Sequence, residues 1–112
     1  MISNNSKGIV FYHSSTNKIS FNTISNNKNL GVELSDDSDI NRFWSNNFVK
    51  NKKNAEDECI NNWYKNEVGN YWYDYEENYE NALDIDGIWD TPYKIPGGDN
   101  EDKYPLVEPV EI

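Results

Sequence analysis

Apolar residues in the first half of the chain come in short bursts that repeat. Gly8-Ile9-Val10-Phe11-Tyr12 is echoed 23 residues later by Gly31-Val32-Glu33-Leu34-Ser35. Ile19-Ser20-Phe21-Asn22-Thr23-Ile24 is echoed 24 residues later by Phe43-Trp44-Ser45-Asn46-Asn47-Phe48. Within each block the apolar residues alternate with polar ones or are separated by short Asn/Ser steps, which is strand spacing. The abundance of Asn, Ser, Thr and β-branched residues disfavours helix. A repeat of this length signals a stacked array, and its apolar content is too low for paired helices. The physical solution is a parallel β-solenoid in which equivalent positions lie on top of one another. Ile9 is predicted to stack on Val32, Phe11 on Leu34, Ile19 on Phe43 and Ile24 on Phe48. Asn22 is predicted over Asn46 and Asn27 over Asn51, at corners where Asn tolerates left-handed backbone and stacked amides bond along the column.

From Asn54 onward the period is lost. Trp63, Tyr64, Tyr71, Trp72, Tyr73, Tyr75 and Tyr79 crowd one stretch, and all four prolines fall near the end. An open last coil would expose its apolar column and unpaired edge groups. The pattern therefore divides the chain into coils over residues 1–53, about two repeats, and a loop-rich aromatic cap over 54–112. The same aromatics, flanked by carboxylates, also suit a sugar-stacking platform; a cap would bury them and a platform would expose them.

Charge sharpens the division. The net charge is −10 over 112 residues, but residues 1–51 carry 4 acidic and 5 basic side chains against 16 and 5 in residues 52–112. This balance argues against nucleic acid, whose phosphates require clustered Lys and Arg. No apolar run is long enough for membrane insertion, and no signal peptide is visible. A single cysteine, Cys59, excludes an intrachain disulfide and any multi-thiolate metal site.

Three stretches carry a family resemblance: Gly69-Asn70-Tyr71-Trp72-Tyr73-Asp74-Tyr75, Asp84-Ile85-Asp86-Gly87-Ile88-Trp89-Asp90-Thr91-Pro92-Tyr93, and Ile95-Pro96-Gly97-Gly98 running on to Tyr104-Pro105-Leu106. In combination they resemble the C-terminal end of NosD-like proteins, and the Asn/Ser repeats look like that family's coils. The resemblance implies an all-β, right-handed parallel β-helix, related to carbohydrate-binding and sugar-hydrolase β-helix domains. It also implies a periplasmic or cell-surface location and an association with copper delivery. Members usually have many coils, so the chain reads as the terminal fragment of a larger β-helix or a shortened gene product. The expected role is a structural, non-catalytic terminal module; the alternative is a carbohydrate-binding module that takes polysaccharide.

Asp84, Asp86 and Asp90, with the Ile88 carbonyl, resemble a Ca²⁺ loop, since oxygens at alternate positions can converge on one cation around Gly87. The first position of such a loop is Ala82 rather than an acid, and the twelfth is Tyr93, so this is no EF-hand. The competing reading is a turn with solvated acids. Copper prefers Cys, Met and His ligands. The chain has one of each, Met1, His13 and Cys59, and no spacing unites them. Neither Cys59 with His13 as nucleophile and base nor Glu56, Asp57 and Glu58 in sugar chemistry has supporting spacing, and the expectation is no enzyme. The first coil leaves strand edges open, so the expected partners are further β-helix coils or a second copy, through residues 6–25.

Overall fold

The computed structural model describes residues 1–112. In chain order the elements are β1 (Ile2–Ser3), β2 (Lys7–Tyr12), β3 (Lys18–Ser20), β4 (Thr23–Ser25), β5 (Leu30–Ser35), β6 (Arg42–Trp44), β7 (Asn47–Val49), β8 (Ala55–Asp57) and β9 (Tyr71–Trp72). A single helical turn, α1 (Tyr75–Asn78), is followed by β10 (Asp84–Ile85), β11 (Ile88–Trp89), β12 (Tyr93–Lys94) and β13 (Glu101–Asp102). The first nine strands wind into a solenoid with three parallel faces, ordered β1-β4-β7-β9, β2-β5-β8 and β3-β6.

The register is the one the repeat predicts. Ile9 pairs with Val32 and Phe11 with Leu34. Ile19 pairs with Phe43, and Ile24 with Phe48. These side chains point inward and form one core with Ala55, Trp63, Trp72, Tyr75, Tyr93 and Ile95. Alternate residues on the same strands, such as Val10 and Tyr12, face water, as a period of two requires.

The solenoid runs past residue 53. Val32 pairs with Ala55 and Leu34 with Asp57; Phe48 pairs with Trp72; Arg42 bridges to Asn62. A third coil therefore spans most of residues 54–72 and keeps the 23–24 spacing on two faces. It is hard to see in the sequence because its inward positions have changed chemistry: Ala55 lies under Val32, Asp57 under Leu34 and Trp72 under Phe48. An inserted turn, closed by the Lys65–Val68 bridge, further disguises it.

The corners differ from expectation in an instructive way. The left-handed residues are Thr16, Phe21 and Asn26 in one coil and Ile40, Ser45 and Lys50 in the next, with φ of 53° to 61°. Each stands immediately before a stacked asparagine: Asn17, Asn22, Asn27, Asn41, Asn46 and Asn51. The asparagines themselves have ordinary φ. They are needed for their side-chain amides, while the preceding residue makes the bend.

Candidate functional site

The amides at the corners form three columns with one polarity. At the first corner Asn41 Oδ1 accepts from Asn17 N (2.8 Å) and Asn17 Nδ2 (3.0 Å), and Asn61 Oδ1 accepts from Asn41 N (2.8 Å). At the second corner Asn46 Oδ1 accepts from Asn22 N (3.1 Å), and Asn70 Oδ1 accepts from Asn46 N (3.1 Å) and Nδ2 (3.0 Å). At the third, Asn51 Oδ1 accepts from Asn27 N (3.0 Å) and Nδ2 (2.9 Å). Along every column the side-chain oxygens accept from the coil on the N-terminal side, while Nδ2 groups also donate back to backbone carbonyls of that coil, Asn41 to Ser14, Asn46 to Ile19 and Asn51 to Ile24.

A column of N–H donors needs a terminal acceptor. The cap supplies one at each corner. Asn100 Oδ1 accepts from Asn61 N (3.2 Å). The third column passes from Asn51 Nδ2 to Asn54 Oδ1 (3.2 Å), and Asn54 Nδ2 then donates to Asp74 Oδ1 (2.9 Å). The second column ends on Asp102, whose Oδ2 accepts from Asn70 N (2.7 Å), Asn70 Nδ2 (3.5 Å) and Trp72 Nε1 (2.9 Å). Its Oδ1 accepts from Tyr104 N (2.9 Å).

Asp102 is fully buried and has no cationic partner among its bonds. Desolvation pushes its carboxyl up to about 7 against the pull of its N–H donors. Gly69 makes the space for it: a Cβ there would lie 1.9 Å from Asp102 Oδ1. Gly69, Asn70, Trp72 and Asp102, distant in sequence, thus belong to one latch. A second buried carboxylate, Asp57, holds Trp63 Nε1 (2.9 Å), Asn61 Nδ2 (3.0 Å) and Cys59 N (2.9 Å), and burial raises it too. Asp102 was not singled out by sequence reasoning, and Asp57 was weighed only for sugar chemistry. Their signals were available: Asp57 is in repeat register with Leu34, and Asp102 lies inside the IPGG-to-YPL segment.

The aromatic residues close the apolar columns. Phe48, Trp72 and Tyr93 stack with centroids 4.4 Å and 4.1 Å apart, and Trp63 stacks on Phe43 at 4.1 Å. Trp63, Trp72, Tyr75 and Tyr93 are buried. Tyr75 is sandwiched by Tyr79 and Trp89. The ring faces of these residues meet each other, not solvent.

Asp84, Asp86 and Asp90 are exposed and are not drawn together: no group of three or more His, Cys, Asp or Glu side chains is placed to hold a metal ion. Residues 84–89 form a tight antiparallel hairpin, with Ile85 opposite Ile88. Asp86 (φ 53°) and Gly87 (φ 88°) occupy its two turn positions, the Asp-Gly pair such hairpins favour. Asp84 Oδ1 accepts from Gly87 N (2.8 Å), and Asp90 Oδ1 from Leu83 N (2.9 Å) and Thr91 Oγ1 (3.0 Å). Two of the three carboxylates thus serve the turn itself. The Ile88 residue bridges antiparallel to Leu106, within a strand and not in the turn.

The copper-type donors do not fit a copper site either. Met1 is exposed at the chain start. His13 lies in an exposed turn with Nδ1 4.0 Å from Asp37, and Cys59 is a half-buried free thiol whose pKa burial raises.

Against known families, the model described as "Periplasmic copper-binding protein (NosD)" matches residues 1–77. Searches of curated proteins and of solved structures find no match. No helix is long and apolar enough to cross a membrane.

Proposed function

The chain belongs to the NosD family of periplasmic copper-binding proteins, and we propose that within it this chain is a structural, non-catalytic terminal module of a cell-surface or periplasmic β-helix. The observation that carries this reading is the complementarity at the last coil. Each amide column finds an acceptor in the cap, at Asn100, Asp102 or Asp74, and the apolar column finds Tyr93 beneath Trp72. Such a closure removes unpaired edges and exposed apolar surface, which is what ends a solenoid. Copper binding, named for the family, is not carried over, because Met1, His13 and Cys59 supply no assembled donor set.

The competing role, a polysaccharide-binding module, has one observation in its favour. A cleft of about 210 Å³ beside the cap is lined by Lys52, Lys53, Asn78, Tyr79 and Lys94 among others. Titration with defined glycans, followed by Trp fluorescence, separates the roles. The capping role expects no saturable change and no release of reducing ends. A saturable shift abolished by Lys94→Ala or Tyr79→Ala, with folding intact, would favour the binding module.

A further inference from the structure

The hollow of about 210 Å³ lies at the seam between the third coil and the cap. The coil contributes Lys52 and Lys53, just ahead of β8, and the cap contributes Asp74, Tyr79, Tyr93 and Lys94. Acids outnumber bases 20 to 10 in the chain, yet three of those ten basic side chains line this one hollow. Lys53 Nζ meets Glu56 at 2.9 Å, but Lys52 and Lys94 form no ion pair. Asp74 is the one acid in the lining, and its oxygens are already engaged. Its Oδ1 accepts from Asn54 Nδ2 (2.9 Å) and the Tyr93 hydroxyl (3.1 Å), and its Oδ2 from Asn78 Nδ2 (3.1 Å). The rings offer little for a sugar to stack on. Tyr93 is buried against Trp72, and Tyr79 stacks on Tyr75 and accepts from Lys94 N through its hydroxyl (2.9 Å). What the hollow presents to a ligand is therefore positive charge.

From this we infer that the hollow is a site for a small multivalent oxyanion, phosphate or the phosphate group of an ester, which bridges the coil lysines to Lys94 of the cap. Its volume falls below the roughly 300–1,000 Å³ of sites that hold drug-sized ligands, so it suits a compact one. Lysine ammoniums act as point charges with turning donors, which suits an ion with acceptor oxygens on every side. A planar carboxylate is matched better by the arginine fork, and the hollow has no arginine. A bound anion also offsets the mutual repulsion of three like charges. Because those charges come from both sides of the seam, occupancy ties cap to coil, and a ligand of the folded state alone stabilises it by mass action. Such a site goes beyond the terminal-module role and does not depend on it. Its ligand is read by charge, whereas a neutral polysaccharide would be read by ring and hydroxyl contacts.

The test titrates the full chain with inorganic phosphate, replacing chloride at constant ionic strength and neutral pH. The backbone amide NMR shifts of Lys53 and Lys94 should move to saturation. Lys52→Ala combined with Lys94→Ala should raise Kd by about tenfold or more, read at Lys53, while Lys94→Arg keeps the charge and should retain binding. All three lysines are exposed, so both variants should fold, and their Tm without phosphate checks it. Phosphate also stabilises proteins by exclusion from their surface; the wild-type Tm should therefore rise with phosphate by more than that of the double variant. Glucose 6-phosphate should move the same amides and compete with inorganic phosphate, and glucose should leave them in place. A tighter Kd for the ester marks a phosphorylated sugar as the occupant, and an equal one the free ion. Shifts that grow without saturating, equal Kd and equal Tm gains in wild type and double variant, or a response to glucose as large as to the ester, would overturn the inference. None of these results bears on the closure of the last coil, which Trp72→Ala tests separately.

Discussion

The second coil and the cap bury the same kinds of groups by opposite means. In the coil, repetition does the work: Asn46 sits between Asn22 and Asn70, and Phe48 between Ile24 and Trp72, each position answered by its own kind. In the cap no residue repeats. Asp102, Asn100 and Tyr93 come from the segment around a two-stranded antiparallel ribbon, Tyr93–Lys94 against Glu101–Asp102, and Leu106 bridges beneath Tyr71 as a last rung. A solenoid specifies its interior by stacking, but its end must be specified residue by residue. Substitutions in the two regions should therefore fail differently.

The largest effect is expected at the seam. Trp72 packs between Phe48 and Tyr93 and donates to Asp102. Trp72→Ala removes the stack and one of the latch's donors, and should cost about 3–5 kcal/mol in urea unfolding. Because the third coil rests on the seam, the coils should unfold with the cap in one transition. A variant whose cap melts while the β2-β5 ladder stays protected against exchange would show that the coils stand alone.

Within the coils, the interior and edge amides sharpen the contrast. Asn46→Ala leaves the Ile19 and Trp44 carbonyls and the Asn22 N–H without their partner, at about 1–3 kcal/mol for each buried group left unsatisfied. Asn22→Ala, one coil higher, removes only Nδ2 bonds at a half-buried site and should cost clearly less. Equal losses at both positions would mean that column order does not set the energetics.

The latch should also respond to pH. Asp102 binds its proton up to about pH 7 in the folded chain, whereas an unfolded aspartate releases it near 4. Between those values the folded state holds the extra proton. This contribution to stability is therefore complete below about pH 4 and is lost as pH rises through about 7. Burial raises Asp57 in the same direction. Thermal unfolding across pH 4 to 8 should show Tm falling toward the alkaline side, and Asp102→Asn should flatten the slope. An unchanged slope would remove Asp102 as its source.

The coils were legible in the sequence because stacking demands like over like, and Ile9/Val32, Phe11/Leu34 and Ile24/Phe48 satisfy that by hydrophobicity alone. The aromatic cap was legible for the same reason in reverse, as apolar surface without a period. What hid was the third coil, where Asp57 occupies a core position under Leu34 and is tolerated because Trp63, Asn61 and Cys59 donate to it. Asp102 hid because its partners lie about 30 residues away in the chain. The carboxylates of residues 84–90 drew attention by local spacing, yet the Asp86-Gly87 hairpin accounts for that spacing without a cation.

The smallest expected effect concerns the bends, and it runs toward greater stability. In the first two coils the residue before each column asparagine adopts left-handed backbone whatever its type, so the fold imposes the geometry and the side chain tolerates it. Ile40 is the least suited: it is β-branched, has φ of 61°, and is 69% exposed. Its side chain gains little by burial, while the left-handed conformation costs a β-branched residue about 1–2 kcal/mol. Asn relieves most of that cost without adding the chain freedom that Gly would bring to the unfolded state. Ile40→Asn should thus stabilise the protein by about 1 kcal/mol in urea unfolding, while preserving the Ile40 N–H bond to the Ile60 carbonyl (2.8 Å). The matched change in a strand, Val10→Asn, at an exposed position with ordinary backbone, should destabilise slightly through lower strand propensity. A gain at both sites, or at neither, would show that corner strain is not what separates the bends from the strands.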